Sequence, residues 1–214
     1  MKKFVCALLM SVVALGAMAQ EEREDNRLGW NVALQGGPHF SAFENTKHAS
    51  FGDCISGHAA LSVGYDFTHA FGTRLEVSYG KNVSGTNTKE SGRPVVLYHC
   101  KDVSVFADAI FNLSYLGGNK RPNYAVEAKG YVGIGVGIPD EGTDPTVGYY
   151  DAGDPKTAFG MRIGAIAEWH ATPRLGFLVD GCVTSYADKF NGVKGDVMVD
   201  MRLGLSLEMI DHTE

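Results

Sequence analysis

Hydrophobic and polar residues alternate with a period of two near the end of the chain, from Asp196 to Met209. Valine, methionine and leucine fill every odd position, whereas the even positions are polar, glycine or, once, methionine. Successive residues of an extended strand point to opposite faces, so this pattern predicts a β-strand and not a helix. The stretch is about twice as long as a common globular strand, a length that suits a tilted strand crossing a bilayer.

The same alternation recurs in seven earlier segments, which turn and loop residues separate. Eight alternating strands predict an all-β fold with one apolar and one polar face. The predicted strands lie near Leu28–Gln35, Cys54–Phe67, Phe71–Gly80, Cys100–Tyr115, Tyr124–Ile138, Phe159–His170, Leu175–Tyr186 and Asp196–Met209.

The connections between these strands alternate in length. This alternation is typical of a closed, antiparallel, up-and-down transmembrane barrel of eight strands with its short turns in the periplasm. No run of about 18 apolar residues follows the N-terminal segment, so a membrane-spanning chain must close its sheet. The short connections are Thr68–Ala70, Leu116–Asn123 and Ala171–Arg174, and the longer ones are Gly36–Asp53, Lys81–His99, Pro139–Ala158 and Asp188–Gly195.

Aromatic residues of the apolar face gather at the strand ends next to the short turns. Amphipathic rings concentrate where a membrane meets water, so we expect a periplasmic-side girdle at this level. A soluble sandwich has no reason to collect aromatics at one depth. The girdle residues are Trp30, Tyr65, Phe67, Phe71, Tyr115, Tyr124, Trp169 and Phe177, and Tyr79 and Phe159 begin a thinner outer girdle.

Charged residues fall on the polar face, mostly away from strand ends. If the apolar face meets lipid, these charges point into a barrel that is only wide enough to be filled by side chains. Lone buried charges are costly, so we expect a charge-paired interior network. A narrow gated conduit or a proton relay would use the same residues. They are Arg74, Glu76, Asp108, Glu127, Lys129, Arg162, Glu168, Asp180, Asp200 and Arg202.

The N-terminus reads as an export signal. Lys2 and Lys3 precede an apolar run, and Ala17-Met18-Ala19 supplies small residues for cleavage. We therefore expect a signal peptide at 1–19, a charged periplasmic leader at 20–27 and the barrel at 28–214. Cleavage would leave 17 basic and 25 acidic residues, a formal charge of −8, which disfavours nucleic-acid binding.

Three cysteines remain after cleavage, in an oxidising compartment. Cys54 and Cys100 share the polar face at the long-loop ends of strands two and four, so a disulfide between them is a hypothesis. Strand three separates them, which leaves it open whether their Cα atoms approach closely enough. Cys182 is expected to fill space inside the barrel. Histidine and cysteine spacings give no support for a metal site, and we expect no cofactor.

Several segments resemble OmpA-like and OmpX-like eight-stranded outer-membrane barrel proteins: ADAIFNLSYLGG at 107–118, KGYVGIGVG at 129–137 and DKFNG at 188–192. The resemblance covers residues 20–214 and implies recognition by the barrel-assembly machinery through the last strand. The matching positions there are Arg202, Gly204, Leu207 and Met209, although Met209 stands where relatives usually carry an aromatic. The chain ends at Glu214, so we expect no peptidoglycan-binding domain.

These observations lead us to expect a non-enzymatic protein of the outer membrane that displays four extracellular loops. The expected partners are outer-membrane lipid and lipopolysaccharide, the assembly machinery and an unidentified surface partner, without nucleic acid. No serine and histidine form an obvious catalytic pair, and we expect no catalytic residues. A narrow pore, a lipid-A-modifying enzyme and a soluble calycin-like barrel with its apolar face inward remain alternatives.

Overall fold

The computed structural model describes residues 28–42, 51–85, 97–117, 126–139, 157–172, 174–187 and 196–210. A 3-10 turn, Phe51–Cys54, precedes the second strand, and a one-turn helix, α1, spans Leu113–Leu116. Neither described helix is long and apolar enough to cross a membrane. The strands are β1 (Gly29–Ala42), β2 (Ile55–Asp66), β3 (Phe71–Gly85), β4 (Leu97–Asn112), β5 (Val126–Pro139), β6 (Ala158–His170), β7 (Leu175–Tyr186) and β8 (Asp196–Ile210).

The eight strands form one closed barrel in chain order. Each strand pairs antiparallel with the next, and β8 returns to pair with β1, from Trp30 opposite Met209 to Ala42 opposite Val197. Closure leaves no free sheet edge within the barrel wall, which is the condition for a sheet to exist in lipid. The predicted fold class is confirmed.

The barrel exposes apolar side chains and buries polar ones, which is the reverse of a soluble protein. Leu75 is 56% exposed, whereas its neighbour Glu76 is completely buried, at 0%. The same alternation of exposed apolar and buried polar residues runs along the other strands. Among the described strand side chains, the outward face carries only two charges, Lys81 and Lys101, which lie opposite each other at the long-loop end. This outer surface suits a lipid environment.

The β3–β4 hairpin extends beyond its neighbours. Its pairing continues from Lys81–Lys101 to Gly85–Leu97, whereas the β2–β3 ladder begins only at His58–Gly80. The sequence prediction ended strand three at Gly80, which was too short. Beyond the lipid, the outward positions need not be apolar, so the periodic signal stops before the strand does.

The end of β4 was also predicted wrongly. The expected strand ran to Tyr115, but β4 ends at Asn112, whose side-chain oxygen accepts a hydrogen bond from the Tyr115 backbone N–H at 3.1 Å. This is an N-cap, which starts α1 and turns the chain away from the sheet. The connection from 113 to 125 is consequently longer than the one from 187 to 195, so loop lengths alternate less strictly than expected.

Two tight turns at this same end of the barrel, between β2 and β3 and between β6 and β7, are built alike. The Thr68 hydroxyl accepts the backbone N–H groups of Ala70 and Phe71, and the Thr172 hydroxyl accepts those of Arg174 and Leu175. A threonine that bonds its own following backbone stabilises a turn locally. These turns fix the registers of β2–β3 and β6–β7, where the short connections were predicted.

Candidate functional site

The barrel lumen holds the densest polar chemistry among the described residues. Strand register brings its charges together in pairs, since Arg74 lies directly opposite Asp108 on β3 and β4, and Asp180 lies opposite Arg202 on β7 and β8. Directly opposed side chains on one face of a sheet are close enough to interact. The lumen divides into three layers along the barrel axis, which we call the central, lower and upper tiers.

The central tier consists of three arginines and three carboxylates. Arg74 Nε donates to Asp108 at 2.8 Å, and Arg162 donates to the same carboxylate from Nε at 2.8 Å and from Nη2 at 2.6 Å. Two parallel bonds from one guanidinium to one carboxylate are among the stronger hydrogen bonds in proteins. The formal charges of the tier cancel. Its members are Arg74, Arg162, Arg202, Glu76, Asp108 and Asp180.

Several bonds of the central tier cross the lumen between strands that are not neighbours. Arg202 donates to Glu76 at 2.7 Å, Arg162 also donates to Glu76, and Arg74 donates to Asp180 at 3.2 Å. The Tyr131 hydroxyl donates to Asp180 at 2.7 Å. Glu76, Asp180 and Arg202 are completely buried, at 0% exposure. The tier therefore closes the barrel across its whole width.

Aromatic rings cover the arginines of this tier. The Arg74 guanidinium carbon lies 4.4 Å from the Tyr131 ring centre, and that of Arg162 lies 4.5 Å from the Phe106 ring centre. A cation over an aromatic face gains electrostatic energy, most of all away from water. The sequence analysis did not single out Tyr131 and Phe106, because the strand alternation places their side chains inside the barrel but does not show which residues they contact.

Glycines make room for these large side chains. A Cβ built on Gly133 would collide with the Asp108 carboxylate, and one on Gly164 would collide with the Tyr131 phenol. The glycines of the GIGVG segment at 133–137 leave space on the lumen side of β5. The structure fills that space with the side chains of Asp108 and Phe106 from β4.

The lower tier lies near the short turns. Lys129 Nζ donates to Glu168 at 2.7 Å and lies 3.5 Å from Glu127, and the Ser206 hydroxyl donates to Glu168. A cavity of about 30 Å³ beside Lys129 and Glu168 has room for roughly one or two waters. The His170 ring lies between two carboxylates. Its Nε2 is 3.5 Å from Glu127 Oε2, and its Nδ1 is 3.6 Å from Glu208 Oε1.

The upper tier lies at the opposite end, below the longer connections. His39 and His58 both approach Asp200, and the thiol of buried Cys182 donates to Asp200 at 3.4 Å. In a second group, the Ser104 hydroxyl is 3.0 Å from Asp102 and 2.7 Å from the Tyr186 hydroxyl. The sequence analysis found no support for a metal site in the histidine and cysteine spacings, and those spacings do not reveal that His39 and His58 meet.

The structure places all ten predicted interior charges on the lumen side, eight of them buried, with Glu127 and Lys129 partly buried. Their ion pairs fall into separate groups, because six belong to the central tier, Glu127, Lys129 and Glu168 to the lower, and Asp200 to the upper. The Cys182 thiol connects the central and upper tiers, since it accepts from Arg202 Nη2 at 4.0 Å and donates to Asp200. Sequence parity gives the face of each residue but not its height relative to residues on distant strands.

Four of the eight proposed girdle aromatics form a chain of ring contacts at the short-turn end. Centroid distances are 5.1 Å for Trp30–Tyr65, 5.0 Å for Tyr65–Phe67 and 6.0 Å for Phe67–Phe71. Phe111, which the sequence analysis did not include, continues the chain 5.6 Å from Phe71. On the other side of the barrel, Trp169 stacks on Phe177 at 5.5 Å. Tyr115 lies on α1, beside His69, and Tyr124 lies outside the described residues.

The last strand carries the predicted assembly signal. Leu207 and Met209 face outward and pair with Val32 and Trp30 of β1, while Arg202 is buried in the central tier. Cys54 is buried at the long-loop end. The Cys100 side chain lies outside the described residues, so its pairing with Cys54 stays a prediction.

Comparisons with known proteins agree with this architecture. The model of the outer membrane protein beta-barrel domain family matches residues 5–206. The crystal structure of Neisserial surface protein A has a TM-score of 0.60 at 15% identity, covering 85% of this chain and 97% of that one. The outer membrane protein OprG from Pseudomonas aeruginosa gives 0.56 at 12% identity, covering 86% and 98%. No curated protein sequence matches the chain. At these identities the two structures share the fold.

Proposed function

Because the chain belongs to the outer membrane protein beta-barrel family, its barrel is an outer-membrane barrel, and we propose that it acts there as a non-enzymatic scaffold. In this proposal, the four longer connections are presented at the cell surface to partners, and the lumen does not conduct. Rigid scaffolds commonly carry binding residues on the loops that they position. The observation that carries the proposal is the closed, charge-neutral central tier.

The central tier supports a structural role for the lumen. Its six charged residues are buried and pair with one another, and Glu76 and Asp180 each contact more than one arginine. A permeating ion would have to separate these pairs in a region of low dielectric, where unpaired charges are very costly. The lumen fits the description of a packed core better than that of a pore.

The outer rim supports contact with lipopolysaccharide. Lys81 and Lys101 face outward on opposed positions of β3 and β4, above an otherwise uncharged outer face among the described strand side chains. Ammonium groups at a lipid headgroup level attract phosphates. We therefore include lipopolysaccharide phosphates among the proposed partners, together with the barrel-assembly machinery, which would read the end of β8.

Surface labelling tests which connections face outward. Each long connection contains a lysine, Lys47, Lys89, Lys156 or Lys189, whereas Lys120 lies in the connection between β4 and β5. An impermeant amine-reactive biotin reagent should label the first four lysines on intact cells and Lys120 only after lysis. Labelling of Lys120 on intact cells, with protection of the other four, would contradict the proposed orientation.

Planar bilayer recordings test whether the lumen is closed. The purified barrel should add no stepwise conductance in potassium chloride, and an Arg202→Met variant should be compared as a matched lumen change. Conductance steps whose size or ion selectivity changes in the variant would favour a narrow pore instead. Mass spectrometry of lipid A from cells with and without the protein tests the enzymatic alternative, for which altered acyl chains would be decisive.

A further inference from the structure

Three potential metal ligands converge in the upper tier from three strands. His39 on β1 lies directly opposite Asp200 on β8, and His58 on β2 lies opposite Gly37, two residues from His39. All three side chains therefore share the lumen face at nearly one height. One candidate ligand atom from each residue, an imidazole nitrogen from each histidine and a carboxylate oxygen from Asp200, lies within 4.8 Å of the others.

The distances suit a small cation between these atoms. Asp200 Oδ1 is 2.5 Å from His39 Nδ1 and 3.1 Å from His58 Nδ1. Ligand atoms around a tetrahedral zinc ion stand about 3.3 Å apart, because each lies roughly 2.0–2.1 Å from the metal. Coordination would need the His39–Asp200 pair to open by less than about 1 Å, which side-chain rotation can supply.

His58 provides the observation that a hydrogen-bonded core pair does not explain. Its Nδ1 is buried and lies 3.1 Å from Asp200 Oδ1, but the imidazole is not aligned to form a hydrogen bond there. Buried polar atoms are rarely left unsatisfied, and an unpaired one costs free energy. A metal bond would satisfy this nitrogen. Gly80 keeps the space open, because a Cβ there would come within 2.6 Å of His58 Cδ2.

The charges around Asp200 also favour a cation. Within the part of the chain that the structure describes, Asp200 forms no ion pair with lysine or arginine, only with the two imidazoles. The Cys182 thiol donates to its other oxygen, Oδ2, and this bond directs Oδ1 toward the histidines. Hydrogen bonds of this kind orient metal ligands.

In a similar group of the lower tier, a lysine of the protein lies beside the carboxylates. Glu127, Glu168 and His170 also bring three potential ligand atoms within 4.8 Å. There, Lys129 Nζ already lies 2.7 Å from Glu168 and 3.5 Å from Glu127. Its ammonium takes the position that a metal cation would need. The upper tier has no such internal cation among the described residues.

We propose that His39, His58 and Asp200 form a binding site for a divalent transition metal of the zinc type. Two imidazoles and one carboxylate are a typical zinc ligand set, with water or another group in the fourth position. The metal would take the place of the hydrogen between His39 Nδ1 and Asp200. The site lies at the long-loop end of the lumen.

Zinc titration of the tag-free, chelator-treated barrel tests the proposal. Isothermal calorimetry should detect one zinc ion per barrel, and cobalt should give the visible absorption of a tetrahedral ion. His39→Ala, His58→Ala and Asp200→Asn should each weaken zinc binding at least tenfold and abolish the cobalt spectrum. His170→Ala supplies a matched histidine control at the other end of the lumen and should bind zinc like the parent protein.

Gel mobility of unboiled samples shows whether each variant is folded. If a ligand variant does not fold, Gly80→Ala offers a second test, because it keeps every ligand atom but displaces the His58 ring and should also weaken zinc binding. The proposal is overturned if the folded parent barrel does not bind zinc. It is equally overturned if the ligand variants bind as tightly as the parent, or if His170→Ala loses affinity to the same extent.

Discussion

The Arg202→Met substitution tests how far the central tier stabilises the barrel. Arg202 is completely buried and donates to Glu76 at 2.7 Å and to Asp180 at 2.8 Å. Methionine keeps much of the aliphatic stem but removes the guanidinium. Two charge-assisted hydrogen bonds disappear, and two arginines then face three carboxylates in a buried layer.

The expected loss is large on the scale of protein stability. Removing one partner of a buried ion pair costs about 3–5 kcal/mol, because the remaining charge stays buried without compensation. Urea unfolding of small proteins has a slope of about 1–3 kcal/mol per molar urea. With a slope of about 2 kcal/mol per molar, the unfolding midpoint of Arg202→Met should fall by about 1.5–2.5 M urea.

Reversible urea unfolding in lipid vesicles measures this shift. The only two tryptophans, Trp30 and Trp169, both lie on the outer wall near the short turns and report the transfer out of lipid. The matched variant is the double substitution Arg202→Met with Asp180→Asn, which restores charge balance. The double variant should lose at least about 1 kcal/mol less unfolding free energy than the two single variants lose together. Residues in contact couple by about 0.5–3 kcal/mol, so their losses do not add. A midpoint shift below about 0.5 M for Arg202→Met, or strict additivity in the double variant, would refute the reasoning.

Two further pairs of substitutions test the outer face and the packing of the lumen. Val77→Arg places a charge near the middle of the lipid-facing wall and should lower the free energy of unfolding by about 2–4 kcal/mol. Ile55→Arg at the rim should lower it by only about 0–1 kcal/mol. Equal losses in vesicle unfolding would contradict a lipid-facing surface. Gly133→Ala would crowd Asp108 and should cost about 1–3 kcal/mol by the same measurement. Gly57→Ala meets no neighbour within 4 Å and should leave the midpoint unchanged; a loss as large as that of Gly133→Ala would argue against the packing explanation.

The sequence predicted the strands best where lipid constrains the outer face. Strand β7 has the predicted bounds, Leu175 to Tyr186, because every outward position there must be compatible with a bilayer. The constraint disappears above the rim, where β3 continues to Gly85 without an alternating pattern. The alternating pattern also gives the wrong strand end at Asn112. The side chain of this residue caps α1 and ends β4, although the alternation of apolar residues continues beyond it.

The lumen was predictable in composition but not in connectivity. Parity assigns Glu76 and Arg162 to the interior, yet they belong to β3 and β6 and meet only because the barrel is narrow. His39 was missed for a different reason, because the predicted first strand ended at Gln35 and left His39 in a connection. Strand β1 in fact continues to Ala42, and His39 lies on it opposite Asp200 of β8. The alternation along one strand does not show which residues of the opposite strands its side chains meet across the lumen.

The position of Arg202 on the last strand has a consequence for the order of assembly. Arg202 faces Asp180 across the β7–β8 hairpin, but its bond to Glu76 on β3 crosses the lumen and needs the closed barrel. The bond between Arg162 on β6 and Glu76 needs closure in the same way. In a sheet that is not yet closed, water must take the place of these bonds around Glu76. Closure therefore releases that water in the same step that forms the bonds, which favours all-or-none completion of the barrel over a stable, partly closed sheet.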